Sequence, residues 1–141
     1  IIGIDAGITV ESGAIVDNAG ELLVDWIHNE GNLYNRSRAK TSLDRYETTL
    51  EAFTYNFVEG QFETITLLDN EGRFDNSGIC VVRGDFRNTA VFNQIRTSSM
   101  EVSGDLVLSP GSILNQSEES DFYLVKGKRI SIREKLAVIF Q

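Results

Sequence analysis

A seven-residue unit recurs along the chain and restricts its fold more than any other feature. The unit reads apolar residue, any residue, Asn, any residue, Gly, any residue, apolar residue. Complete copies begin at Val16, Ile27, Leu68 and Phe74, and degenerate copies begin at Phe86 and Leu108. The copies at Leu68 and Phe86 lie 18 positions apart. The spacing predicts a structural repeat of about 18–20 residues.

The chemistry of the unit indicates a corner between two short strands. Asn tolerates the left-handed backbone region, and Gly enters it without steric cost. The flanking apolar residues then point inward, and Asn side chains from successive coils can form a hydrogen-bonded ladder. Since one coil cannot bury its apolar face alone, several must stack. We expect corners at Asn18, Asn29, Asn70, Asn76 and Asn88.

The predicted fold class is all-β, a parallel β-solenoid (β-helix) with short Asn/Gly corners. The chain has 12 Gly and only 1 Pro, and its apolar runs are of strand length. The alternative is a jelly-roll-like β-sandwich, because a segment such as 17–20 can close a hairpin. Only three residues separate Gly72 from Asn76, too few for a strand between two hairpin turns. This spacing favours the solenoid, as a single domain over residues 1–141.

Residues 36–67 depart from the repeat and are either a divergent insertion or a pair of divergent coils. Within them, Leu43, Tyr46 and Leu50 fall at helical spacing, which predicts a helix over 41–53. Phe53, Tyr55 and Phe57 alternate instead, which is typical of a hairpin strand. The sequence leaves both interpretations open.

The stretch Asn76–Asn93 resembles a rung of filamentous-haemagglutinin-type or autotransporter-passenger repeats. Its order of Asn-x-Gly, strand, Gly and Phe-x-Asn is similar to theirs, and the likeness extends over Ala14–Asn35 and Leu68–Asn115. The resemblance implies a secreted bacterial surface or extracellular-matrix protein with a role in adhesion or scaffolding. It implies no catalytic residue.

Charge and composition exclude several classes of partner. The 13 basic and 21 acidic residues leave a net charge of −8, which opposes binding to nucleic acid or an anionic membrane. No apolar run reaches the length of a membrane span. The absence of an initial Met leads us to expect a chain that starts after a cleavage or inside a longer protein.

Histidine and cysteine occur once each, and no serine lies in a Gly-x-Ser-x-Gly motif, so we expect neither enzymatic activity nor a cofactor. The only histidine, His28, lies in an alternating strand pattern, and the only cysteine, Cys80, lies inside an apolar run. The one acidic segment with enough oxygen ligands for calcium contains Asp69, Glu71 and Asp75, but its spacing does not match an EF-hand loop. The sequence leaves calcium binding there open.

Both ends of the chain are apolar and are expected to form an assembly interface. The residues concerned are Ile1, Ile2, Ile4, Leu136, Val138, Ile139 and Phe140. A large apolar side chain left in water forgoes roughly 1.5–3 kcal/mol relative to burial. The last segment therefore either packs antiparallel on its own domain or joins the next subunit.

Two functions follow from these features. The first is a non-enzymatic extracellular structural subunit, a filament or surface adhesin, that self-assembles end to end through its terminal strands. The alternative is a carbohydrate-binding or carbohydrate-processing β-solenoid, which needs exposed aromatic platforms. Trp26 and Tyr34 are the predicted glycan contacts, and we expect them to contribute more to glycan binding than the carboxylates do.

Overall fold

The protein is a parallel β-solenoid in which each complete coil contributes a strand segment to each of three faces. The computed structural model describes residues 6–125, 130–132 and 137–140, and the elements formed by these residues are all strands. Every strand pair in the described residues is parallel. The solenoid prediction is therefore confirmed, and the β-sandwich alternative is wrong.

The strands stack into three faces. The first face contains β3 (Glu21–Leu23), the first halves of β6 (Lys40–Thr48) and β8 (Gln61–Asn70), β10 (Ile79–Val82), β13 (Ser99–Val102) and β16 (Asp121–Leu124). The second contains β1 (Gly7–Val10), β4 (Trp26–Asn29), the second halves of β6 and β8, β11 (Asp85–Asn88), β14 (Leu106–Leu108) and β17 (Ile130–Ile132). The third contains β2 (Ile15–Asn18), β5 (Asn32–Asn35), β7 (Phe53–Asn56), β9 (Arg73–Asn76), β12 (Val91–Gln94), β15 (Ile113–Gln116) and β18 (Ala137–Phe140).

Residues 36–67 form coils of the same stack. They supply β6, β7 and the first part of β8, all in parallel register with their neighbours. The helix over 41–53 and the hairpin interpretation are both wrong. The helical spacing has a local cause, because β6 passes from the first face to the second at Asp44 and Arg45, two adjacent exposed residues. Leu43 and Tyr46 consequently both face the core although they are three residues apart.

The core is a set of columns of mostly apolar side chains, one from each coil. On the third face the column runs through Leu33, Thr54, Phe74, Phe92 and Leu114, all buried. The rings of Phe74 and Phe92 stack with their centroids 4.8 Å apart. Each coil covers the apolar surface of its neighbour, as nearest-neighbour packing in a solenoid requires.

A ladder of amide side chains runs along the corner between the third and first faces. The Nδ2 of each Asn donates to the amide oxygen of the next coil, at 3.0 Å from Asn18 to Asn35, 2.8 Å to Asn56, 2.9 Å to Asn76 and 2.7 Å to Gln94. The same nitrogens donate to main-chain carbonyls of the following coil. The predicted ladder is confirmed, although its members Asn35 and Asn56 were not among the predicted corners.

A shorter ladder occupies the corner between the second and third faces. Asn70 donates to the Oδ1 of Asn88 at 2.9 Å and accepts from the Oγ1 of Thr48 at 3.0 Å. Asn29 donates to the buried hydroxyl of Tyr46 at 3.0 Å. All five predicted corner residues end their strands, which confirms their placement.

The predicted role of the left-handed backbone at these corners is wrong. Within the described residues, positive φ occurs at Arg38, Glu59, Arg96, Gly13 and Gly111, none of which belongs to a predicted Asn/Gly pair. Three of the four motif glycines, Gly31, Gly72 and Gly78, serve a different purpose, since their turns lie almost against the turns of the preceding coil. A Cβ on Gly78 would lie 2.3 Å from the carbonyl oxygen of Gly60.

Gly78→Ala and Gly20→Ala provide a matched test of this close approach. Both glycines follow an Asn at the same corner, but a Cβ on Gly20 meets nothing within 4 Å. We expect Gly78→Ala to lower the free energy of unfolding by about 1–3 kcal/mol, because a carbonyl of the adjacent coil must move. Gly20→Ala should have a much smaller effect. Urea unfolding measures both, and equal losses would contradict this explanation.

Candidate functional site

Four aromatic side chains project outward from two successive coils of the third face. They are Tyr34, at the centre of β5, Phe53 and Tyr55, on β7, and Phe57, directly after it. Side chains alternate across a strand, and the buried positions of β7 are Thr54 and Asn56, so the aromatic residues face away from the core. We call these four residues the aromatic cluster.

The rings of the aromatic cluster form one contiguous half-buried surface. Tyr55 and Phe57 stack with their centroids 4.4 Å apart. Tyr34 meets Phe53 and Phe57 edge to face at 6.2 and 6.4 Å. Because each ring is supported by others and by a strand, the cluster is held in place before any ligand arrives.

Arg36 fixes one side of the cluster. Its guanidinium lies 4.6 Å from the ring centroid of Phe57 and 5.3 Å from that of Tyr34. It also forms a two-point ion pair with Asp17, with its Nε 2.7 Å from Oδ1 and its NH2 group 2.9 Å from Oδ2. The hydrogen bonds from Arg36 lower the pKa of Asp17, so this carboxyl remains ionised.

Polar side chains continue the third face beyond the aromatic cluster. Asp75 is buried beside the cluster. The Nε and Nη2 of Arg73 donate to its Oδ1 and Oδ2 at 3.1 and 2.9 Å. Asn93 donates to Asp75 Oδ1 at 2.7 Å, and Asn115 donates to Asn93 Oδ1 at 2.6 Å. The carboxylate of Asp75 is therefore fully engaged by neighbouring groups.

An open cleft of about 470 Å³ lies at the end of this polar row. Asn93 and Asn115 line it together with Arg96, Ser117 and Glu118. It lies on the corner between the third and first faces, after β12 and β15. The third face thus joins an aromatic surface to an open cleft.

The second face carries a row of one histidine and three charged side chains instead. His28, Glu47, Asp69 and Arg87 occupy successive outward positions in register. The Nε2 of His28 lies 3.0 Å from the Oε2 of Glu30, two residues further along the chain. Burial raises the pKa of Asp69, and the nearby Glu71 raises it further.

The two predicted glycan contacts lie on different faces. Tyr34 belongs to the aromatic cluster, but Trp26 is on the second face, where its ring lies over Gly7. Trp26 is 41% exposed. The structure therefore does not bring Trp26 and Tyr34 into one site.

The acidic segment proposed for calcium is also divided between faces. Asp69 is on the second face, Glu71 is in the following turn, and Asp75 is bound to Arg73 on the third face. Among the described residues, no three His, Cys, Asp or Glu side chains are placed to hold a metal ion. Cys80 is buried in the core, where burial raises the pKa of its thiol.

The predicted assembly residues lie only partly in the described chain. Ile1, Ile2, Ile4 and Leu136 fall outside the described residues. Val138, Ile139 and Phe140 belong to β18, which pairs in parallel with β15 of the same chain. The antiparallel packing considered for this segment is therefore wrong.

Sequence reasoning named Tyr55 among the aromatic candidates, but it missed Arg36 and the outward placement of Phe53 and Phe57 beside that ring. Their alternation was visible, but it does not tell which side of the strand faces the core. The signal that could have shown this is a longer corner motif at Asn56. A small residue, Gly60, lies four positions after Asn56, just as Ala39 lies four positions after Asn35. This longer corner motif places Asn56 inward and so turns Tyr55 outward.

Comparison with known proteins finds no matching family model, curated protein or solved structure. The described part of the chain also contains no helix with the length and apolarity needed to span a membrane. Functional inference therefore rests on the surfaces of the solenoid itself.

Asp69→Asn tests the electrostatics of the second face. The raised pKa means that ionised Asp69 is less favourable in the folded chain than in the unfolded one. At pH 7 we expect the variant to be more stable than the wild type, and the difference should disappear as the pH falls below the ordinary aspartate pKa of 3.8. Chemical unfolding across this range measures it. Glu51→Gln, at an exposed turn, is the control, and an unchanged or lowered stability of Asp69→Asn at pH 7 would contradict the prediction.

Proposed function

We propose that the protein binds carbohydrate through the third face of the solenoid, outside the cell or at its surface, without catalysing a reaction. The observation that carries the proposal is the aromatic cluster, which presents four adjoining rings beside fixed polar groups. Aromatic rings pack against the apolar faces of sugars, and polar neighbours bind the hydroxyl groups. Binding sites commonly combine these two kinds of surface.

The rigidity of the third face supports this proposal. The strands that bear the cluster are joined to their neighbours by main-chain pairing and by the amide ladder behind them. Tyr55 also shares a hydrogen bond with Ser77 of the next coil, at 3.3 Å. A ligand therefore orders few side chains on binding, which reduces the entropic cost of association.

Binding without catalysis is supported by the state of the nearby carboxylates. Asp17 and Asp75 are the acidic residues that adjoin the cluster, and each is held in a two-point bond with an arginine. General acid or base catalysis needs a carboxyl group that can exchange its proton with the substrate. These two carboxylates instead hold Arg36 and Arg73 against the rings.

A glycan array followed by calorimetry tests the proposal, with Tyr55→Ala as the main variant. We expect the wild type to bind a subset of glycans and Tyr55→Ala to lose about tenfold or more in affinity, which corresponds to roughly 1.4 kcal/mol. Tyr123→Ala is the control, because Tyr123 is an exposed tyrosine on the first face. Equal binding by the two variants, or no binding by the wild type, would contradict the proposal.

End-to-end assembly is a second candidate function, favoured by the order of strands in the third face. The seven-stranded sheet begins with β2 and ends with β18, and each of these strands pairs on one side within the described residues. Addition of the β18 edge of one copy to the β2 edge of another would continue the parallel sheet. Such a contact joins unlike edges and propagates as a filament.

Deletion of residues 136–141 tests this assembly. We expect the intact chain to form filaments or chains of subunits, and the truncated chain to be monomeric because it lacks the donor strand β18. Sedimentation velocity and electron microscopy distinguish these states. An intact chain that stays a monodisperse monomer at high concentration and moderate salt would contradict the candidate, and circular dichroism shows whether the truncated chain keeps its fold.

A further inference from the structure

The outward residues of the third face form a row, in register from coil to coil, along the axis of the solenoid. One residue per coil lies in this row, and the register places them in the order Asp17, Tyr34, Tyr55, Asp75, Asn93 and Asn115. We call these six residues the axial row. With adjacent parallel strands about 4.8 Å apart, the row is roughly 24 Å long.

The chemistry of the axial row changes once along its length. Tyr34 and Tyr55 lie within the aromatic cluster, whereas Asp75, Asn93 and Asn115 form a hydrogen-bonded chain that ends at the cleft. In each of Asn93 and Asn115, one amide hydrogen is used within the row, which leaves the second hydrogen of the NH2 group for another acceptor. A ligand along the row meets stacking surfaces first and hydrogen-bonding groups next.

We propose that the ligand is a neutral polysaccharide chain that lies parallel to the solenoid axis, with about one sugar residue on each coil from Tyr34 to Asn115. This inference rests on the proposed carbohydrate binding by the third face. The spacing of adjacent coils is close to the length of one pyranose residue in an extended polysaccharide. A chain in this orientation therefore stays in register with the row over several coils.

The charges along the third face favour a neutral chain over an acidic one. The guanidinium groups of Arg36 and Arg73 are already neutralised by Asp17 and Asp75. At the cleft, Arg96 is accompanied by Glu118 and Glu119. Because no excess positive charge lies along the row and the whole chain carries −8, uronate-rich glycans are repelled.

Calorimetry with oligosaccharides of increasing length tests this orientation. The probes are oligomers of glucose, xylose, mannose and N-acetylglucosamine from disaccharide to hexasaccharide, with oligogalacturonates of equal length as the charged counterpart. We expect the affinity for at least one neutral series to rise up to the pentasaccharide and then level off. Oligogalacturonates should bind more weakly at every length.

Asn115→Ala and Tyr55→Ala assign the two ends of the row. Asn115→Ala should weaken pentasaccharide binding by about fivefold, the size of one hydrogen bond, and should weaken disaccharide binding less. Circular dichroism shows whether the variant is folded. Tyr55→Ala should weaken binding at every length, and Tyr123→Ala should change nothing.

The outcomes separate this inference from the function on which it rests. Disaccharide binding that depends on Tyr55 but does not strengthen with length would overturn the axial orientation and leave carbohydrate binding intact. Tighter binding of oligogalacturonates would overturn the neutral class. Failure of every probe to bind the wild type would overturn both the inference and the proposed function.

Discussion

The rest of the structure depends on the hydrogen bonding of buried side-chain amides between coils. Asn35, Asn56 and Asn76 are completely buried, and a buried amide without partners costs about 1–3 kcal/mol. Each has one partner in its own corner and finds its amide partners in the neighbouring coils, so the same bond satisfies one amide and sets the register of the next strand. This requirement explains why successive coils stay in parallel register although their lengths range from 17 to 24 residues.

Close approach of the turns follows from the same stacking. A Cβ added to Gly72 would lie 2.4 Å from a carbonyl oxygen of the preceding coil, and one added to Gly78 would lie 2.3 Å from such an oxygen. The Asn-x-Gly motif therefore combines two requirements of the stack, an amide for the ladder and an absent side chain for the contact. This is also why the motif was visible in the sequence, even though the conformational reason first assigned to it was wrong.

The sequence predicted the fold well where the motif is intact and poorly where the corner is longer. Asn18 and Asn76 are followed by Gly two positions later, and both were placed correctly. Asn35 and Asn56 occupy the same ladder, but they begin turns two residues longer and were not recognised as corners. The corner at Asp44 and Arg45 added a helical spacing to a strand, because it moved the next inward residue by one position.

The candidate site was predictable only after the phase of each strand was known. Alternation of Phe53, Tyr55 and Phe57 identifies a strand, but a shift of one residue exchanges its two sides. Asn56 resolves this ambiguity, because its amide must face the ladder between Asn35 and Asn76. Its neighbours are then directed outward. The interaction that closes the core thus also selects the residues of the third face, and a substitution that moved Asn56 out of the ladder would remove the aromatic cluster together with the register.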